Sequence, residues 1–130
     1  MGAKPRACLE VRLPGDPASV PRARHLVRDL LVQRHLGDHP GVLLAVSEAC
    51  ANAIVHAYPD AGGDVDLEAR IDGSALHISV RDYGVGVDTP AHHRGQGYGM
   101  LLIKAHAAGV DVRERRPGTE VTMTFDLSAR

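Results

Sequence analysis

Tryptophan is absent and aromatic side chains are scarce: one Phe and three Tyr in 130 residues. A core must therefore be assembled from Leu, Val, Ile and Ala, with little help from large rings. Cysteine is nearly missing too. Cys8 falls in a candidate strand and Cys50 in a candidate helix, so the pair forms no disulfide framework and reads as two free thiols. Neither sign of charge is in excess. Fifteen Lys and Arg face sixteen Asp and Glu, a formal net charge of −1, which gives no basic surface of the kind that draws nucleic acid or an acidic membrane. No apolar run approaches the roughly 20 residues of a membrane span. The first residues lack the charged-then-apolar order of a secretory leader. The expectation is a cytoplasmic chain forming one domain over residues 1–130, because a chain of this length encloses one core and not two.

What is present is periodicity with clear punctuation. Leu9, Val11 and Leu13 alternate with Glu10 and Arg12, a half-buried strand stopping at Pro14-Gly15. Asp16-Pro17 reads as a helix start. Val20, Ala23, Leu26, Val27, Leu30 and Leu31 then recur at helical spacing, and the helix is expected to run to Leu36 and stop at Gly37. Asp38-His39-Pro40 opens a second helix with an apolar stripe through Leu43, Val46, Cys50, Ala53 and Ala57, ended by Pro59. Val65 to Ile71 alternates cleanly, Asp72-Gly73 is a two-residue hairpin turn, and Leu76, Ile78 and Val80 point inward on the return strand. Residues 82–99 show no apolar periodicity and read as a long functional loop. A helix is expected over Gly99–Ala108 with Gly109 as its cap. A final hairpin has Val110 and Val112 on one strand and Val121, Met123, Phe125 and Leu127 on the other. The sum predicts an α+β two-layer sandwich, with a mixed, mostly antiparallel sheet covered by helices on one face.

Four short constellations carry chemistry. Glu48 and Asn52 are four apart on the second helix, so they share a face, roughly opposite the stripe through Val46, Cys50 and Ala53. An amide oxygen is a hard ligand suited to Mg²⁺, and a carboxylate one turn away is placed to act as a base; the same pair also suits an ordinary solvated face. Asp82 continues the inward phase of Leu76, Ile78 and Val80, and a carboxylate on the buried side is costly without hydrogen bonds. Gly84 and Gly86 follow it closely enough to let a flat ligand approach the backbone. Gly95-Gln96-Gly97-Tyr98-Gly99 runs straight into a helix, where uncovered backbone N–H groups suit a phosphate, and Arg94 precedes it. Thr119 shares the inward parity of Val121 and Met123, which puts its hydroxyl near Asp82 if the two strands are neighbours. The histidines show no zinc spacing, since His92 and His93 are adjacent and His56 does not share a helix face with Cys50.

Taken in order, Glu-x-x-x-Asn on a helix, Asp-x-Gly-x-Gly after a strand, Gly-x-Gly-x-Gly before a helix and Gly-Thr on a last strand resemble the N, G1, G2 and G3 boxes of the GHKL ATPase superfamily. The stretch Val46 to Tyr58 is similar to the anti-sigma-factor serine kinases of bacterial partner switching. The resemblance implies a Bergerat ATP-binding fold and roles residue by residue. Asn52 would coordinate Mg²⁺. Asp82 would accept a hydrogen bond from the adenine amine, with Thr119 in support. Gly84, Gly86, Arg94, Gly95, Gly97, Tyr98 and Gly99 would shape the nucleotide pocket, and Glu48 would act on a serine of an anti-anti-sigma antagonist. Arg22 would serve partner binding, a sigma factor would be the other partner, and a homodimer would be the assembly. The segment between Gly86 and Gly95, which would form the ATP lid, is very short. That keeps open an alternative: a non-catalytic module that sequesters a partner in an ATP-dependent way.

Overall fold

The computed structural model describes residues 8–57, 63–84 and 99–128. In chain order these form β1 (Leu9–Pro14), α1 (Ser19–Gln33), α2 (Pro40–Ala57), β2 (Asp64–Asp72) and β3 (Ala75–Asp82), then a helix over residues 99–106 (α3), β4 (Gly109–Glu114) and β5 (Thr119–Asp126). The five strands make one sheet in the order β1-β2-β3-β5-β4. Every neighbouring pair is antiparallel, a more uniform sheet than the mixed one expected.

The inner face follows from the period-two pattern. Leu13, Val65, Leu67, Ala69, Leu76, Ile78, Val80, Met123 and Phe125 are buried. They pack against Ala23, Val27, Leu30 and Leu31 of α1 and against Val42, Ala45, Val46, Ala49, Cys50, Ala53 and Ile54 of α2. The buried stripe on α2 is wider than expected, and its small residues let the helix lie close on the sheet. The residues between these positions, among them Arg12, Asp66, Glu68, Arg70, His77, Ser79, Arg81 and Thr122, sit on the opposite face, which is helix-free among the described residues. There they pair across strands, as in Arg12 with Asp66 and Ser79 with Thr122.

Two helix boundaries differ from the sequence reading. α1 stops before Leu36 because His35 adopts a left-handed conformation (φ 54°). The amide of His35 donates to Val32 O (3.1 Å) and that of Leu36 to Leu31 O (3.0 Å), the paired bonds of a Schellman cap. Gly37 lies beyond that cap. Gly109 does not cap α3: it opens β4, and Ala108 N already donates to Thr124 O of β5 at 2.7 Å. The β2–β3 turn has Gly73 (φ 61°) and Ser74 at its centre, one residue later than expected, with Asp72 paired to Ala75. Among the described residues no helix is long and apolar enough to cross a membrane.

Candidate nucleotide site

Asp82 and Thr119 are where the inner face stops being apolar. Asp82 is the last residue of β3 and Thr119 the first of β5, and they face each other directly in the sheet. Both are deeply buried, at 6% and 4% exposure. One carboxylate oxygen of Asp82 accepts the backbone N–H of Gly84 (3.0 Å) and that of Thr119 (3.3 Å). These bonds fix the carboxylate and compensate part of its desolvation. The hydroxyl of Thr119 is buried and has no hydrogen-bond partner among the described residues. Such a group costs folding free energy and calls for a partner that the described residues do not supply.

The backbone around this pair is held tight. Gly118 has φ 98°, and a β-carbon there would collide with the carbonyl oxygen of Asp82. Only glycine permits both the dihedral and the approach. On the far side, a β-carbon on Gly99 would lie 2.5 Å from the Asn52 amide, and one on Gly84 would lie 2.5 Å from the Ala57 methyl. The first described residues of α3 therefore press directly on α2.

A cavity of about 30 Å³ lies between these parts, lined by Ala49, Asn52 and Ala53 of α2, Met100 and Ile103 of α3, and Val80, Asp82, Thr119 and Val121 of the sheet. The structure thus brings together Asn52, Asp82 and Thr119, with Gly84 and Gly99 at the margins. Asn52 lies beside Ala49 and Ala53 rather than opposite the apolar stripe, because α3 covers that flank of α2. Glu48, one turn earlier, is half-buried and makes no hydrogen bond or ion pair with a described residue; it does not line the cavity. Arg22 is exposed on α1. Gly86, Arg94, Gly95, Gly97 and Tyr98 lie outside the described residues. Sequence reasoning missed the apolar walls, Met100, Ile103, Val80 and Val121. Their signal was present, since Met100 and Ile103 are three apart on a helix and Val121 is in phase with Thr119. Cys50 is buried behind the site, and burial pushes its thiol up to about 12, so it is inert packing.

A buried carboxylate, an amide and a hydroxyl without a partner among the described residues thus surround one cleft, with glycines at its margins. The family model of the histidine kinase-like ATPase domain matches residues 13–125. The chain belongs to that family. Among relatives of this ATPase-domain chain, an anti-sigma F factor of Clostridium acetobutylicum is 47% identical over 95 residues, which is 63% of this chain and 66% of the relative. The serine-protein kinase RsbW of Bacillus velezensis is 29% identical over 92% of this chain and 86% of the relative. The chain spans 66% or less of the anti-sigma F factors it matches, down to 30% for one from Anoxybacillus flavithermus. Among solved structures, the histidine kinase domain of the Erythrobacter litoralis EL346 blue-light activated histidine kinase superposes with a TM-score of 0.51. It is 28% identical, covering 68% of this chain and 44% of that one.

Proposed function

We propose that this chain binds Mg·ATP in the cleft between α2, α3 and the Asp82–Thr119 end of the sheet, and phosphorylates a serine of an anti-anti-sigma antagonist as an anti-sigma-factor kinase of bacterial partner switching. The observation that carries the reading is the buried Asp82–Thr119 pair, in which a fixed carboxylate and an unpartnered hydroxyl converge on one cavity. Those groups fit adenine: the carboxylate accepts from an exocyclic amine, and the hydroxyl meets a ring nitrogen or a bridging water. Val80, Val121, Met100 and Ile103 supply apolar walls for the flat ring. The family membership and the names of the relatives point the same way.

Asn52 would hold the magnesium through its amide oxygen, and bound ATP would supply the phosphoryl group. The rest falls to the chain's own residues. Glu48 would take the proton of the attacking serine hydroxyl. Gly84, Gly86, Arg94, Gly95, Gly97, Tyr98 and Gly99 would shape the rest of the nucleotide site, and Arg22 would contact a partner from α1. The cavity of about 30 Å³ is smaller than a purine, so its walls would have to part to admit one. Residues 1–130 would form one such domain, cytoplasmic and paired as a homodimer, with a sigma factor as its other partner.

Calorimetry with ATP and Mg²⁺ on the full chain should give one site per chain, and incubation with the antagonist should add one phosphate to it. Glu48→Ala should keep ATP binding and lose roughly 10²–10⁴ in transfer rate. Undiminished transfer would remove Glu48 from the chemistry. The position of Glu48 outside the cavity lining favours a second reading, in which the chain sequesters a partner with ATP bound and transfers nothing. A stable complex with no phosphate on any partner would select it.

A further inference from the structure

Behind the Asp82–Thr119 pair, on the outer face of the sheet, three residues from three strands meet around Tyr83. Tyr83 stands between Asp82 and Gly84, so its backbone is the only link between the buried carboxylate and the amide that donates to it. Its phenol donates to Asp66 Oδ2 of β2. Arg12 of β1 holds the same carboxylate with two bonds, Nε donating to Oδ1 at 2.8 Å and a terminal nitrogen to Oδ2 at 3.1 Å, and that nitrogen also donates to the Tyr83 hydroxyl at 3.3 Å. Arg81 lays its guanidinium 4.5 Å from the ring centroid, and that of Arg12 lies at 5.3 Å. Arg81 also donates to Pro117 O at 3.4 Å, beside the Gly118 that crosses over Asp82. The assembly spans β1, β2, β3 and the turn before β5, all at one end of the sheet.

We propose that Tyr83 is a positioning residue for adenine recognition: tied down by Asp66, Arg12 and Arg81 on the outer face, it fixes the backbone between Asp82 and Gly84 and so the direction in which the Asp82 carboxylate points. This rests on the reading of Asp82 as the adenine acceptor. The division of labour follows from strand alternation. Asp82 and Tyr83 are consecutive, so one projects into the cleft while the other projects away from it. An acceptor discriminates through direction as much as through distance; the Asp82 carboxylate takes its direction in part from the Gly84 amide, and the position of that amide follows the backbone of Tyr83. The phenol is protonated at neutral pH, so it serves Asp66 as a donor.

The test measures selectivity rather than affinity alone. Wild type, Tyr83→Phe and Asp66→Ala are titrated, as full chains with Mg²⁺, against ADP and against the same nucleotide lacking the exocyclic amine. Wild type should prefer ADP. Tyr83→Phe keeps the ring and its stacking, so the fold survives, and it should weaken ADP about five- to tenfold while leaving the amine-free analogue within about twofold. Asp66→Ala, which leaves no acceptor for the phenol, should do the same, and the double variant should be no worse than the worse single one, because both cut the same tether. Equal weakening of both nucleotides, or no change in the preference, overturns the positioning role. A wild type that binds ADP without preferring it over the analogue removes the adenine reading of Asp82 itself, a result distinct from a failure of the tether.

Discussion

The two faces of the sheet are made by the same strands and obey opposite rules. On β3, Leu76, Ile78 and Val80 are enclosed, while His77, Ser79 and Arg81 between them look outward and find partners across the strands. A polar side chain on the outer face is unremarkable, since water or a cross-strand neighbour satisfies it. Asp82 and Thr119 break the inner rule together and at the same place, and that coincidence marks a site where single polar residues would not. Polarity informs about function when it occurs in the wrong phase of a pattern.

The sharpest way to break this contrast is to cut adjacent residues. Ile78→Ala, in the enclosed phase, should cost about 2–5 kcal/mol in urea unfolding. Ser79→Ala, one residue on, loses a half-buried hydroxyl bond to Thr122 (3.1 Å) and should cost about 0.5–1 kcal/mol. Comparable costs would mean that the helix-free face is covered in solution. Within the inner face, Asp82→Asn keeps an oxygen for the Gly84 and Thr119 amides but offers a donor where an acceptor is needed. ATP affinity should fall roughly 10- to 100-fold with stability changed by less than about 1 kcal/mol, and intact affinity would move the nucleotide elsewhere. Thr119→Val removes the unpartnered hydroxyl at nearly constant shape. It should raise stability by about 1 kcal/mol while weakening ATP about three- to tenfold, and a loss of stability instead would show that the hydroxyl is already satisfied.

The smallest effect belongs to the outer face. The hydrogen bond from Arg12 holds the Asp66 carboxyl below its usual range. A carboxyl depressed in the folded state stabilises above its unfolded pKa, about 3.9, and loses that contribution as pH falls through its folded value. Asp66→Asn should therefore be modestly less stable than wild type at neutral pH, with exposure of the pair limiting the effect. The two stability curves should merge as acid unfolding proceeds below about pH 4. A gap that persists at the lowest pH would assign the loss to packing instead of charge.

Much of this was legible in the sequence, for local reasons. Pro14, Pro40 and the Asp72-Gly73 pair punctuate the chain strongly enough to place β1, α2 and the β2–β3 hairpin to within a residue or two. Strand phase alone placed Asp82 and Thr119 inward, and the structure pairs them. The end of α1 was misread because the apolar spacing continues through Leu36, while the helix is terminated by a left-handed histidine, a conformation more readily assigned to Gly37. Gly109 was misread as a cap because pairing with β5 overrides its local preference. The partial enclosure of Asn52 depends on α3 packing against α2, and the Tyr83 tether depends on charges far apart in sequence. Neither leaves a periodic trace.

Strand order also governs when the cleft comes into being. β5 is the last strand in chain order, yet it lies between β3 and β4. While the polypeptide emerges from the ribosome, β2 and β3 can close their short hairpin and β1 can join its free side, but the flank of β3 stays open until β5 is delivered. Thr119 arrives with that strand, so a nascent chain has no floor for the proposed nucleotide until β5 has emerged and paired with β3. Binding competence would therefore switch on late and all at once, and stalled or clipped products would lose both the ligand and the closure of the sheet.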